Sequence, residues 1–254
     1  MLLAHELIGR TADPALVLIH GITDSRQMWY PLLPDLAANH FVLAIDLRGH
    51  GQSDTDDGYD PISYAADVVD TAAALGLSDA VVVGHSLGGV VASAFAAIAP
   101  CRGVVSIDQP LRLSSFKEAL SQLAPMLNGT RESFDQALEL MFATMDGPLS
   151  ADQQARLRQH RRADQTVVLA TWASVFESTP EELDATVEAL AAGITVPYLS
   201  LHGTDPGPDY APWLQHLVPT ATVEVWPNMG HYLHLVDPGR FLARLAEFEA
   251  QVRG

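Results

Sequence analysis

Short apolar runs recur along the chain, and helical patterns fill most of the gaps between them. Residues 15–20, 41–46, 80–83, 103–108 and 196–202 are rich in Val, Ile, Leu and Ala, as strands buried on both faces are. Residues 2–10 alternate in part and read as an edge strand, and residues 222–226 close the series. Between them, residues 29–38 place Trp29, Leu32, Leu33 and Leu36 on one helical face. Residues 61–75, opened by Pro61, turn Ala65, Val68, Val69, Ala72 and Leu75 inward. Further helices are expected near 210–217 and 238–252. Strands alternating with helices predict an α/β fold: a mostly parallel sheet of about seven or eight strands covered on both faces.

The rhythm breaks once. From residue 109 to 195 the strands vanish and helical patterns follow one another at 111–123, 131–145, 150–172 and 180–191. Turn residues such as Asn128-Gly129 and Asp146-Gly147-Pro148 separate them. The expected organisation is therefore a core built from residues 1–108 and 196–254, with 109–195 as a helical insertion.

One junction carries chemistry. The apolar run ending at Val83 meets Gly84-His85-Ser86-Leu87-Gly88-Gly89 and then a helix of small and apolar residues. Gly-x-Ser-x-Gly between a strand and a helix is a nucleophile elbow, which lifts the serine hydroxyl to a helix N-terminus. A hydroxyl needs a base, and His231, in the loop after the last strand, fits that role. The acid that orients the imidazole has two candidates at strand ends: Asp205, which is preferred, and Asp108. Backbone N–H groups of Leu87 and Ile22 are expected to form the oxyanion hole. His20, Gly21, His85 and Trp172 are expected to face the substrate.

Composition narrows the partners. The net charge is −17, with 31 acidic against 14 basic residues, which disfavours nucleic acid and anionic membranes as partners. Cys101 is the single cysteine, so no intrachain disulfide forms. The first residues lack the basic start and apolar run of a signal peptide, and a cytoplasmic protein is expected. Gly49-x-Gly51 lacks the spacing of a dinucleotide site, and the ten histidines show no metal-ligand spacing, so no metal and no cofactor are expected. A homodimer is left open.

Taken together, His20-Gly21, Asp46-Leu47-Arg48-Gly49-His50-Gly51-x-Ser53, the Ser86 elbow and Gly230-His231 resemble the α/β-hydrolase superfamily, in its order and over the whole chain except the insertion. The resemblance implies a helical cap after the family's strand six and a serine hydrolase acting on small carboxylic esters or lactones. It also admits a carbon–carbon bond hydrolase, a lyase using a cap lysine, or a non-catalytic small-ligand receptor. The family usually places its acid three residues after a glycine. Here Gly203 is followed by Thr204 and Asp205, with Pro206 in that slot. Some members take the acid from the end of strand six, where Asp108 stands.

Overall fold

A computed structural model of the chain describes residues 1–252. Seven strands form one sheet: β1 (His5–Ile8), β2 (Ala15–Ile19), β3 (Phe41–Ile45), β4 (Val81–His85), β5 (Gly103–Ile107), β6 (Tyr198–His202) and β7 (Ala221–Val225). Their spatial order is β1-β3-β2-β4-β5-β6-β7, with β1 antiparallel to β3 and every other neighbour parallel.

Side-chain alternation divides the core. Val17, Ile19, Leu43, Ile45, Val82 and Val104 point to one face, where α2 (Pro61–Ala74) and α3 (Leu87–Ile98) cover them with Tyr64, Val68, Val91 and Phe95. Leu16, Leu18, Val42, Val83, Val105 and Ile107 point to the other. There α1 (Leu33–Ala37) and α11 (Pro238–Val252) supply Leu33, Leu36, Phe241, Leu245 and Phe248. Because both faces are covered, the central strands carry no polar alternation.

Five helices run between β5 and β6: α4 (Ser114–Leu127), α5 (Arg131–Ala143), α6 (Ala151–His160), α7 (Gln165–Glu177) and α8 (Pro180–Ala191). In this chain they follow the fifth strand, not a sixth. Leu120, Phe134, Leu138, Val168, Trp172 and Val175 form a cluster of their own that also takes in Ile22 from the loop after β2. Two helical readings differ from the structure. Residues 29–38 split into a 3-10 turn at Arg26–Trp29 and the short α1, where Pro31, which has no N–H to donate, interrupts the helical hydrogen-bond ladder. The stretch 150–172 is broken between α6 and α7. Arg162 N–H turns to the Thr23 carbonyl (2.8 Å), and the Asp164 carboxylate caps α7 through Thr166 and Val167 N–H. Two last helices are α9 (Tyr210–Leu217) and α10 (Leu233–Val236). Among the described residues no helix is long and apolar enough to cross a membrane.

Phe134 is fully buried at the centre of the insertion's cluster. Phe134→Ala should cost roughly 3–5 kcal/mol, read as a lower denaturant midpoint at unchanged slope.

Candidate active site

The site is laid out from the turn at Ser86. β4 ends at His85 and α3 begins at Leu87, so this one residue makes the whole turn, with φ 53° and ψ −124°. That is left-handed backbone on a residue with a Cβ, a strained state worth about 1–3 kcal/mol. Packing enforces it. A Cβ on Gly84 would strike the Gly88 carbonyl, and one on Gly88 would strike the Ile19 carbonyl of β2. Ser86 N–H donates to the Ile107 carbonyl (2.9 Å), tying the turn to β5. The side chain is left facing a cavity of about 430 Å³ between the sheet edge and the inserted helices.

His231 reaches the same cavity from the loop between β7 and α10. Three bonds hold it. Its backbone N–H donates to the Met145 carbonyl at the end of α5 (3.0 Å), and its own carbonyl accepts from His85 Nε2 (3.0 Å). Its ring Nδ1 lies 2.7 Å from Asp108 Oδ2. The carboxylate partner makes Nδ1 the donor, which leaves Nε2 as the free, proton-accepting edge. The Ser86 hydroxyl has no hydrogen-bond partner among the described residues. Such bonds commonly close only with substrate in place.

Here the geometry corrects the preference for Asp205. Asp108 also leaves its strand in left-handed backbone (φ 48°), which turns its carboxylate toward the loop after β6. Its Oδ1 accepts from Gly203 N–H (2.7 Å) and Thr204 N–H (3.4 Å) while Oδ2 meets His231. Asp205 is exposed at the rim and accepts from Gly207 N–H (2.8 Å), an Asx turn. The loop that carries His231 crosses Gly203 so closely that a Cβ there would strike the Gly230 carbonyl.

Gly21, Ile22, His85, Leu87 and Trp172 line the cavity, but His20 does not. It is fully buried, with Nδ1 donating to the Gly21 carbonyl (2.6 Å) and Nε2 accepting from Leu47 N–H (3.0 Å). It shapes the loop that presents Ile22 and makes no contact with the cavity. The Leu87 N–H, at the first position of α3, has no carbonyl four residues back to take it.

A bridge beside the histidine escapes sequence reasoning. Arg161 donates to Tyr232 Oη (2.7 Å), lies 3.4 Å from Asp24 Oδ1 and stacks 3.8 Å over the Phe142 ring. Asp24 and Tyr232 line the cavity, so this arginine ties the insertion to the core at its wall. Tyr232 adjoins His231 in sequence, but its partner is 71 residues away and nothing local marks the pairing. Burial raises the Asp24 carboxyl above its ordinary value although Arg161 pulls it down.

Five other histidines are held neutral by burial. His20 and His202 are lowered to about 4, His50 and His234 to about 3, and His85 falls well below its usual value. The imidazoles of His85, His231 and His234 neighbour one another, with ring centroids 4.5 and 4.9 Å from that of His85.

A parallel sheet with a serine at its strand–helix turn and a His–Asp pair at the same edge defines an α/β hydrolase. Residues 16–245 match the alpha/beta hydrolase family, and the chain belongs to it. It is 28% identical over 248 residues to the 2-(acetamidomethylene)succinate hydrolase of Mesorhizobium japonicum, covering 93% of this chain and 88% of that protein. Among solved structures it is similar to the esterase RhEst1 from Rhodococcus sp. ECU1013, with TM-score 0.74 and 25% identity over 98% of this chain and 94% of that one. It also shares its fold with a thermophilic esterase from Thermogutta terrifontis, with TM-score 0.80 and 24% identity over 99% and 94%.

Two outcomes follow from the site's construction. Gly203→Ala should displace the Gly230-His231 loop and lower kcat more than it lowers the thermal midpoint, checked by kinetics beside a melting curve. The buried histidines have folded values below the unfolded 6.5, so the unfolded chain binds more protons. Their contribution to stability is complete above about pH 6.5 and is lost as pH falls toward about 3–4. Chemical denaturation across that range should show stability dropping steeply, with proton uptake on unfolding approaching one for each of His20, His50, His85, His202 and His234.

Proposed function

We propose that the chain is a serine hydrolase of small carboxylic esters or lactones, working through Ser86, His231 and Asp108. The observation that carries this reading is the 2.7 Å contact between His231 Nδ1 and Asp108, made in the cavity that Ser86 enters from its strained turn. Ser86 Oγ attacks the substrate carbonyl as His231 Nε2 takes its proton. Asp108 keeps the proton on Nδ1 and balances the imidazolium that forms. The N–H groups of Leu87 and Ile22 receive the oxyanion. The imidazolium then protonates the departing alcohol, and an acyl group remains on Ser86. Water, deprotonated by the same Nε2, attacks the acyl-enzyme and restores the serine.

The relatives' names support hydrolysis, and that of the Rhodococcus structure supports an ester in particular. A lyase using a cap lysine finds no support. Lys117 is the only lysine, and its ammonium donates to the Val175 and Phe176 carbonyls at the end of α7 (2.8 and 3.1 Å).

Turnover of a short 4-nitrophenyl ester, with fluorophosphonate labelling and peptide mapping, tests the assignment. Ser86→Ala should abolish both signals. Asp108→Asn should lower kcat by roughly 10³–10⁴-fold, because the wrong imidazole tautomer is then favoured, whereas Asp205→Asn should change it little. Labelling elsewhere than Ser86, or the opposite order of the two aspartate variants, would remove the reading.

A further inference from the structure

The cavity over Ser86 contains a positive charge that the fold leaves unanswered. Arg26, Arg48, Arg161 and Arg244 each meet a carboxylate, on Asp46, Asp67, Asp24 and Glu224. Arg112 does not. Among the described residues it is the only lysine or arginine lining the cavity, and no carboxylate lies within ion-pair distance of it. In a chain with 31 acidic residues against 14 basic ones, partners for a guanidinium are abundant, so an unpaired one inside a cavity calls for a physical reason.

Its position is set without using its donors. The guanidinium carbon lies 4.6 Å from the centre of the Trp213 ring. A cation over a ring face is held by the ring's quadrupole, which leaves the N–H groups free to donate. The short segment that leads to it is anchored twice. Asp108, four residues earlier, is bound to His231, and Leu111 N–H donates to Tyr210 Oη (3.0 Å). The cavity's own carboxylates do not compete. Asp108 is engaged by His231 and Gly203, Asp24 by Arg161, and Asp205 by Gly207 at the exposed rim.

A half-buried guanidinium loses hydration, and that loss is recovered when a ligand brings an anion to it. We propose that Arg112 binds a carboxylate on the substrate, so that the preferred substrates are short half-esters, or lactones bearing a free carboxylate, with the scissile carbonyl at Ser86. A single guanidinium matches one carboxylate in charge and in its paired oxygens. Much of the remaining wall is apolar, including Leu87, Val90, Leu113 and Phe116, which suits a hydrocarbon spacer between the two groups. The identity of the cleaved bond rests on the serine hydrolase reading above; the anion site itself does not.

The test compares two esters with one leaving group, mono-4-nitrophenyl glutarate and its neutral methyl ester, on the wild type, Arg112→Gln and Arg112→Lys. The wild type should favour the anionic ester. The ratio of kcat/KM for the two esters should fall roughly ten- to hundredfold in Arg112→Gln, chiefly through KM, and recover in part in Arg112→Lys. A ratio that does not move, or a wild type that prefers the neutral ester or a choline ester, overturns the proposal. Glutarate binding gives a readout free of turnover: it should raise the melting temperature of the wild type and not that of Arg112→Gln. An equal rise in both overturns the anion site. If neither ester is cleaved and Ser86 is not labelled, but glutarate stabilises the wild type alone, the hydrolase reading fails while the anion site stands.

Discussion

Where β4 becomes α3, two backbones meet with no room for a side chain between them, and the site is arranged around that contact. Gly88 rests against the carbonyl of Ile19 in β2, and Gly84 against the carbonyl of Gly88 itself. The helix start is therefore held against the sheet edge, and Ser86 is left the one backbone conformation that joins them. The strain extends beyond it. Of the five non-glycine residues with positive φ among the described residues, Thr23, Ser86, Asp108 and Asn228 lie in loops at the edge of the sheet where the cavity opens. At about 1–3 kcal/mol each, such residues are a heavy load on a fold whose net stability is typically about 5–15 kcal/mol. The sheet's two apolar faces and their helices offset it.

The pattern of apolar positions reveals the strands because those strands are buried on both sides. A continuous run such as Val81-Val82-Val83 would expose one apolar face to water in any half-solvated strand, so its burial on both faces follows from its composition. Ser86 and His231 were legible for a related reason: each stands in a loop directly after a strand that the pattern locates. The acid was not. Asp108 and Asp205 both follow strands, β5 and β6 are neighbours, and either could face the imidazole on spacing alone. What separates them is a backbone angle at Asp108 and the N–H of Gly203 turned toward it, and neither leaves a mark in composition or periodicity. The break between α6 and α7 is hidden in the same way. Residues 161–164 contain no glycine or proline, and the helix ends because Arg162 N–H and Arg161 find partners in the core.

The inserted helices are more than a roof. His231 N–H is bonded to the Met145 carbonyl at the end of α5, while Arg161, beyond α6, grips Tyr232 and Asp24. The backbone on one side of the imidazole thus belongs to the insertion's hydrogen-bond network. On the other side, the His231 carbonyl is held by His85, the residue before Ser86. Lifting the whole insertion would break the Met145 bond and leave Asp24, a buried carboxylate, without its guanidinium. Breaking a buried pair of this kind typically costs about 3–5 kcal/mol.

The opposite rim is built differently. Around Arg112 and Asp205 the contacts are a cation over a ring, an Asx turn and exposed loop, with no ion pair between insertion and core at this rim among the described residues. The two rims are nonetheless joined: Asp108, four residues before Arg112, holds His231 and accepts from the N–H groups of Gly203 and Thr204, just before Asp205. On the proposed reading, the group that selects an anion and the carboxylate that orients the imidazole leave β5 on one short segment, four residues apart.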